Sequence, residues 1–133
     1  MIVDSSALLA VLSGEPDAEQ FAKALTTNDG VAISAGTLLE TSIVVDSRRD
    51  PVLSARLDEL LQVAGVSVEP VTARQATIAR QAYRDFGKGG GHPAGLNFGD
   101  CFAYALAKDT GQPLLFMGDD FTHTDLRSAL TVG

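Results

Sequence analysis

The sequence has little of several things that mark out whole classes of protein. It holds a single cysteine, Cys101, which excludes an intrachain disulfide and any zinc site built on several thiolates. That residue falls on the apolar stripe of a predicted helix and reads as a core thiol. No apolar run approaches the roughly 20 residues needed to cross a bilayer, so no membrane is expected among its partners. The opening "MIVDSSALLAVL" has no basic residue ahead of its apolar ones and an aspartate at position 4. That argues against a secretory signal and for a cytoplasmic location. Basic residues are scarce too: 10 Lys and Arg stand against 17 Asp and Glu, a net charge of −7. Phosphate backbones are usually met by a basic surface. A nucleic-acid ligand would therefore be better suited by divalent cations bridging carboxylate to phosphate. Only His92 and His123 supply imidazoles, both in predicted loops, and no Ser–His–Asp constellation is in view.

What is present is an apolar fraction of 45 % in 133 residues, enough to fill the core of one domain spanning 1–133. Short β-like runs alternate with helical stretches. "MIVD" reads as a first strand, and helices follow over 5–12 and about 17–27. "VAIS" (31–34) is a second strand, followed by a helix over 36–49. Pro51 opens another helix that stops at Gly65. "VSVEPV" (66–71) is a third strand. Thr72 and Gln75 then form a capping-box start for a helix to about Phe86. The glycine-rich "GKGGGHPAG" (87–95) is a loop, and a helix closing at Gly111 comes next. "PLLFM" (113–117) is a fourth strand, and "LTV" near the end is a candidate fifth. This alternation predicts an α/β fold with a mostly parallel sheet of four to five strands and helices on both faces.

In such a sheet, ligands gather beyond the carboxyl ends of the strands. Acids fall there repeatedly. Asp4 ends the first strand, and Asp119 and Asp120 follow the fourth. Glu40 and Asp100 lie in the first turns of helices that start from the same rim. Each also has an ordinary reading. Asp4 suits an N-cap, Glu40 a capping box with Thr37, Asp100 the first turn after an Asn97 cap, and Asp119 and Asp120 a turn. As a group they are harder to explain this way. Like charges 4 Å apart repel by about 4 kcal/mol at an effective dielectric of 20, and no Lys or Arg adjoins any of these acids in sequence. All-oxygen ligation selects hard cations, Mg²⁺ or alternatively Mn²⁺. One or two such ions suit metal-assisted phosphodiester hydrolysis.

The stretches "MIVDSSALLAVL", "SAGTLLETSIVV" (34–45) and "LNFGDCFAYALAKDTGQPLLFMGDDFTHTDL" (96–126) together resemble a PIN-domain ribonuclease, specifically a VapC-type toxin of a bacterial toxin–antitoxin pair. The resemblance spans nearly the whole chain. It implies a PIN-like three-layer α/β/α fold and a Mg²⁺-dependent endoribonuclease that cuts a tRNA or rRNA and stops translation. It further implies a VapB-type antitoxin and a homodimer. Asp4, Glu40, Asp100 and Asp120 match the family's acids, as catalytic residues and metal ligands. Asp119 matches a helper position, and Ser6 and Thr37 match hydroxyls around the site. Arg80, Arg84 and Lys88 recur every four residues, a candidate basic stripe for RNA leading into the glycine-rich loop. The runs "ALLAVL" and "SIVV" are candidates for an antitoxin groove or a dimer face.

Two other functions remain to be separated from this one. A receiver-like phosphoacceptor domain would need an acidic pair after the first strand and an Asp ending the third, and "VSVEPV" offers none. A catalytically inactive PIN binding module would be expected to lack some of the matching acids.

Overall fold

The computed structural model describes residues 1–130. Four strands form one sheet: β1 (Ile2–Val3), β2 (Ala32–Ser34), β3 (Ser67–Glu69) and β4 (Leu114–Leu115), in the order β3-β2-β1-β4 and parallel at every pairing. The helices are α1 (Ser5–Leu12), α2 (Ala18–Thr27), α3 (Ala35–Ser47), α4 (Pro51–Val63), α5 (Ala73–Phe86) and α6 (Phe98–Thr110), with short 3₁₀ turns at Lys88–Gly90 and Asp120–His123. From β1 the chain builds outward through β2 to β3, then returns to add β4 on the other side of β1. The point where the order reverses lies between β1 and β4, and there the strand ends leave a crevice.

The pleat explains the three layers. Successive strand residues point to opposite faces. Val3, Ile33 and Leu115 enter one core with Leu8, Phe21, Leu25, Val45 and Leu57 from α1 to α4. Their neighbours Ile2, Ala32 and Leu114 enter the other, with Ala82 of α5, Leu106 of α6 and Phe121. Both faces of β1, β2 and β4 are covered, which is why these three read as buried runs, whereas the edge strand β3 is largely exposed.

Local chemistry fixes the helix ends. Asp50 caps α4 through Val52 N (3.0 Å) and Leu53 N (3.3 Å), with Pro51 in the first turn, where no amide is needed. Gly111 ends α6 at φ 69°, a left-handed conformation that suits glycine. Three expectations are corrected. The third helix starts one residue early, at Ala35, because Ser34 at the strand end is its cap and accepts from Gly36 N (3.3 Å). Thr37 is therefore inside the helix, and the capping box with Glu40 does not form. At α5, Thr72 caps Gln75 N (3.1 Å), but the Gln75 side chain turns instead to Asp109 (3.3 Å). The expected strands 66–71 and 113–117 shorten to Ser67–Glu69 and Leu114–Leu115. The expected fifth strand at 130–132 lies outside the described residues beyond Leu130. Just before it, Ser128 bridges in parallel to Leu114.

α5 and α6 form an antiparallel hairpin. At one end Arg74 of α5 pairs with Asp109 of α6 (2.6 Å). At the other, Leu96 N donates to Phe86 O and Lys88 N to Leu96 O, both at 2.9 Å. The glycine-rich loop is thus tied at its base, and it contains the Lys88–Gly90 turn.

Candidate active site

Asp4 stands at the end of β1, beside the crevice. Its amide donates to Leu115 O (2.9 Å), which completes the β1–β4 pairing. Its carboxylate is 2 % exposed. One oxygen, Oδ2, caps α1 by accepting from Ser6 N (3.1 Å) and Ser6 Oγ (2.6 Å). Ser6 Oγ in turn accepts from Met117 N (3.0 Å), so this hydroxyl joins the ends of β1 and β4. The other oxygen, Oδ1, is buried with no hydrogen-bond partner among the described residues. An unpaired carboxylate oxygen costs several kcal/mol when buried (roughly 2–7 for a polar group). Burial, with Glu40 nearby, pushes the Asp4 carboxyl above its ordinary value despite the opposing Ser6 bonds.

Glu40 lies on α3 and accepts from Ser5 Oγ (3.1 Å). Its carboxylate fits against Gly99, in the first turn of α6, where any Cβ would run into it. Asp100 comes next on α6. It completes a capping box: Asn97 Oδ1 accepts from Asp100 N (2.9 Å), and Asp100 Oδ2 accepts from Asn97 N (3.0 Å). Burial pushes Asp100 up to about 6, against the Asn97 bond. The negative charges of Asp4, Asp120 and Glu40 push in the same direction as burial. Asp120 opens the 3₁₀ turn that follows β4, and Asp119 precedes it without a capping bond from its side chain.

Four acids from four separate pieces of chain thus share one neighbourhood. They do not form a finished cage. Among the described residues no three His, Cys, Asp or Glu side chains are placed to hold a metal ion together. The four-acid ligand set expected from the sequence is thus not assembled as a cage; a Mg²⁺ ion held here would take one or two carboxylates and fill its octahedron with water and substrate phosphate. The donor set is all oxygen, and the free Asp4 Oδ1 is a ligand position with no competing bond. The residues therefore fit a hard divalent cation.

The remaining expected residues are less uniform. Thr37 is fully buried and its hydroxyl has no partner among the described residues. Arg80, Arg84 and Lys88 are all exposed, at the end of the hairpin where α6 begins. As expected, α5 ends at Phe86 and Lys88 follows in the glycine-rich loop, on its 3₁₀ turn. Arg80 and Lys88 line a cavity of about 600 Å³ with Tyr83, Phe98, Cys101 and Phe102; Arg84 does not. This cavity is apolar and is not the acid site. Phe98, Cys101, Phe102 and Ala105 bring one face of α6 to it, whereas Asp100 and Tyr104 share a different face. His92 is structural: its Nδ1 accepts from Ala94 N (3.0 Å) and its ring meets Phe86 edge-on. Sequence reasoning missed Ser5 and Gly99, which hold and shape the place of Glu40. The only signal for them was their position next to Asp4 and Asp100.

Known proteins share both the sequence family and the fold. The PIN domain family model matches residues 1–126. The chain is 58 % identical over 130 residues to Ribonuclease VapC28 of Mycobacterium tuberculosis, covering 98 % of each. It is 50 % identical over 131 residues to Ribonuclease VapC42 of the same species, covering 98 % of this chain and all of that one. Among solved structures, VapC20 of M. tuberculosis, a Sarcin-Ricin loop cleaving toxin, superposes with a TM-score of 0.71 at 19 % identity, covering 94 % of this chain and 95 % of that one. VapBC2 from Rickettsia felis, bound to a DNA fragment from its promoter, gives 0.74 at 15 % identity, with 96 % and 94 % covered.

Proposed function

The chain belongs to the PIN-domain family as a VapC-type ribonuclease toxin, and we propose that it hydrolyses RNA with Mg²⁺ or Mn²⁺ held at the β1–β4 crevice. The observation that carries this is Asp4 Oδ1, buried and unpaired in a neighbourhood that also holds Asp100, Glu40 and Asp120. Asp4 and Asp100 are the direct ligands. Glu40, steadied by Ser5, orients the attacking water and takes its proton, and Asp120 completes the anionic rim. A bound divalent cation supplies charge neutralisation at the phosphate and a more acidic water. One or two ions satisfy this donor set.

The substrate is a structured RNA, a tRNA or an rRNA loop, and its cleavage stops translation in the cytoplasm. Arg80, Arg84 and Lys88 meet phosphates flanking the cut, while the cation offsets the acidic surface at the cut itself. A VapB-type antitoxin restrains the enzyme, and the shallow groove between α1 and α4, lined by Val11, Leu12, Arg56, Leu60 and Val63, is its seat. No described helix is long and apolar enough to cross a membrane. A receiver-like domain is disfavoured because β3 is an edge strand ending in Glu69, with no aspartate there to phosphorylate.

The test is incubation of the purified protein with total RNA, with and without Mg²⁺, followed by mapping of new 5′ ends. Defined cuts that vanish with chelator and in Asp100→Asn are expected. Cutting that persists in both would overturn the reading.

A further inference from the structure

Asp100 and Tyr104 are four residues apart on α6 and so lie one above the other on one face. Lys108, four further on, continues the row. Asp120 and Asp125 are five apart on the segment that follows β4. The two pieces run side by side. Asp120 lies close enough to Asp100 for its charge to be felt there. Asp125 accepts from Tyr104 Oη (2.6 Å) and from Lys108 Nζ. Between these points Phe121 is buried, tilted against Phe116 at 5.3 Å, in the same core as the Tyr104 ring. The Tyr104 hydroxyl is therefore a bolt between the helix that carries one acid and the turn that carries another.

We propose that Asp125, through Tyr104, is a positioning residue that fixes the Asp119–Asp120 turn at the correct distance from Asp100. The proposal rests on the acid rim being the nuclease centre. Other ties hold the segment as well: Phe121 is packed in the core, Lys108 pairs with Asp125, and an Arg127 guanidinium N–H donates to Gly111 O (2.9 Å), but Tyr104 is the tie that lies one helical turn from Asp100. The Asp119 and Asp120 side chains make no hydrogen bond within the described residues. The turn's own bonds, Thr122 N to Asp119 O and Thr124 N to Phe121 O (both 3.1 Å), hold its shape but not its place. A side chain that holds a ligand-bearing turn in place acts through position, and a misplacement of about 1 Å can cost on the order of 10²-fold in rate.

The test uses the full chain and three variants. Tyr104→Phe removes only a hydroxyl from a ring that stays packed against Phe86 (5.9 Å). Asp125→Ala removes the acceptor. Asp125→Asn keeps an acceptor for the tyrosine. After thermal melts verify folding, Mn²⁺ affinity is measured by calorimetry without RNA, and kcat and KM are measured on a cleavable RNA. Tyr104→Phe and Asp125→Ala are expected to weaken Mn²⁺ binding and lower kcat by roughly tenfold each, with KM within about twofold, and Asp125→Asn to recover most of both. Unchanged Mn²⁺ affinity and kcat in Tyr104→Phe and Asp125→Ala, beside an Asp100→Asn control that loses both, would overturn the bolt and leave the nuclease reading standing. An Asp100→Asn control that still binds Mn²⁺ and cuts RNA would overturn the two together.

Discussion

At Asp100 two physical demands pull in opposite directions. As the third residue of α6 its carboxylate belongs to a capping box, an arrangement that ordinarily stabilises a helix by about 0.5–2 kcal/mol. As part of the acid rim it is partly buried beside Asp4, Asp120 and Glu40, and its pKa is raised to about 6. A raised carboxyl pKa means that the folded chain binds its proton more tightly than the unfolded chain. This residue's contribution to stability is therefore greatest at low pH. It declines as pH rises from near 4 to about 6, and the full penalty is present above that. Asp100→Asn keeps the capping oxygen and removes the charge. In metal-free buffer at pH 7.5 the variant is expected to be more stable than the native chain, by about 1 kcal/mol after solvent screening is allowed for. The difference should shrink towards pH 4. Urea melts in EDTA across that range check it. A variant less stable at pH 7.5 would mean that the cap outweighs the repulsion, and that the acid serves the helix first.

The packing of α6 on α3 uses a glycine on each helix, Gly36 against Phe102 and Gly99 against Glu40. Gly99 has no Cβ, and the Glu40 carboxylate occupies the space where one would be. Gly99→Ala is expected to leave the melting temperature within a few degrees. The alanine gains about 1 kcal/mol of helix propensity, while the flexible end of Glu40 swings aside at modest cost. RNA cleavage is expected to fall by about tenfold or more, because the displaced carboxylate is no longer oriented. Single-turnover assays with melts on the same samples check this, and full activity in a folded Gly99→Ala would show that Glu40 needs no fixed place. The same helices show what could be read from the chain itself. Asp4 and Asp100 were legible because a strand end and a helix first turn are set by local signals, and parallel topology puts both on one rim. The helix start before Glu40 was misplaced because Thr37 and Ser34 are both good caps. Only the strand register, set by β1 on one side and β3 on the other, selects Ser34. The end of α5 at Phe86 was legible too, since the glycine-rich run from Gly87 cannot continue a helix, and it leaves Lys88 on the loop beyond. The tie between Tyr104 and Asp125 spans 21 residues and depends on the path of the chain after β4, for which no local pattern exists.

For the whole molecule, the apolar surface that the fold leaves uncovered is as informative as its core. The run "ALLAVL" is mostly consumed by the core: Ala7, Leu8, Ala10 and Leu12 are buried. "SIVV" is not, since Ile43 remains 59 % exposed. Leu39, one turn earlier on the same face of α3, is 62 % exposed, and Phe98 at the start of α6 is 78 % exposed. α3 and α6 are in contact here, with Phe102 filling the space beside Gly36, so these side chains lie on adjoining helices. Monomers seldom leave contiguous apolar patches larger than a few hundred Å² in water, and a two-fold contact between copies would cover this one with itself. Repulsion works against such a contact, because each copy carries a net charge of −7. Dimerisation should accordingly tighten as salt screens that charge, over a Debye length of about 10 Å at 0.1 M. The native chain is expected to sediment at twice its 13.9 kDa mass, with a larger dimer fraction in 0.5 M than in 0.05 M NaCl. Leu39→Glu with Ile43→Glu is expected to yield a folded monomer at both, because two buried unpaired charges on each side outweigh the apolar gain. A native chain that sediments as a monomer at every salt concentration would refute the dimer, and a double variant that still dimerises would move the interface off α3.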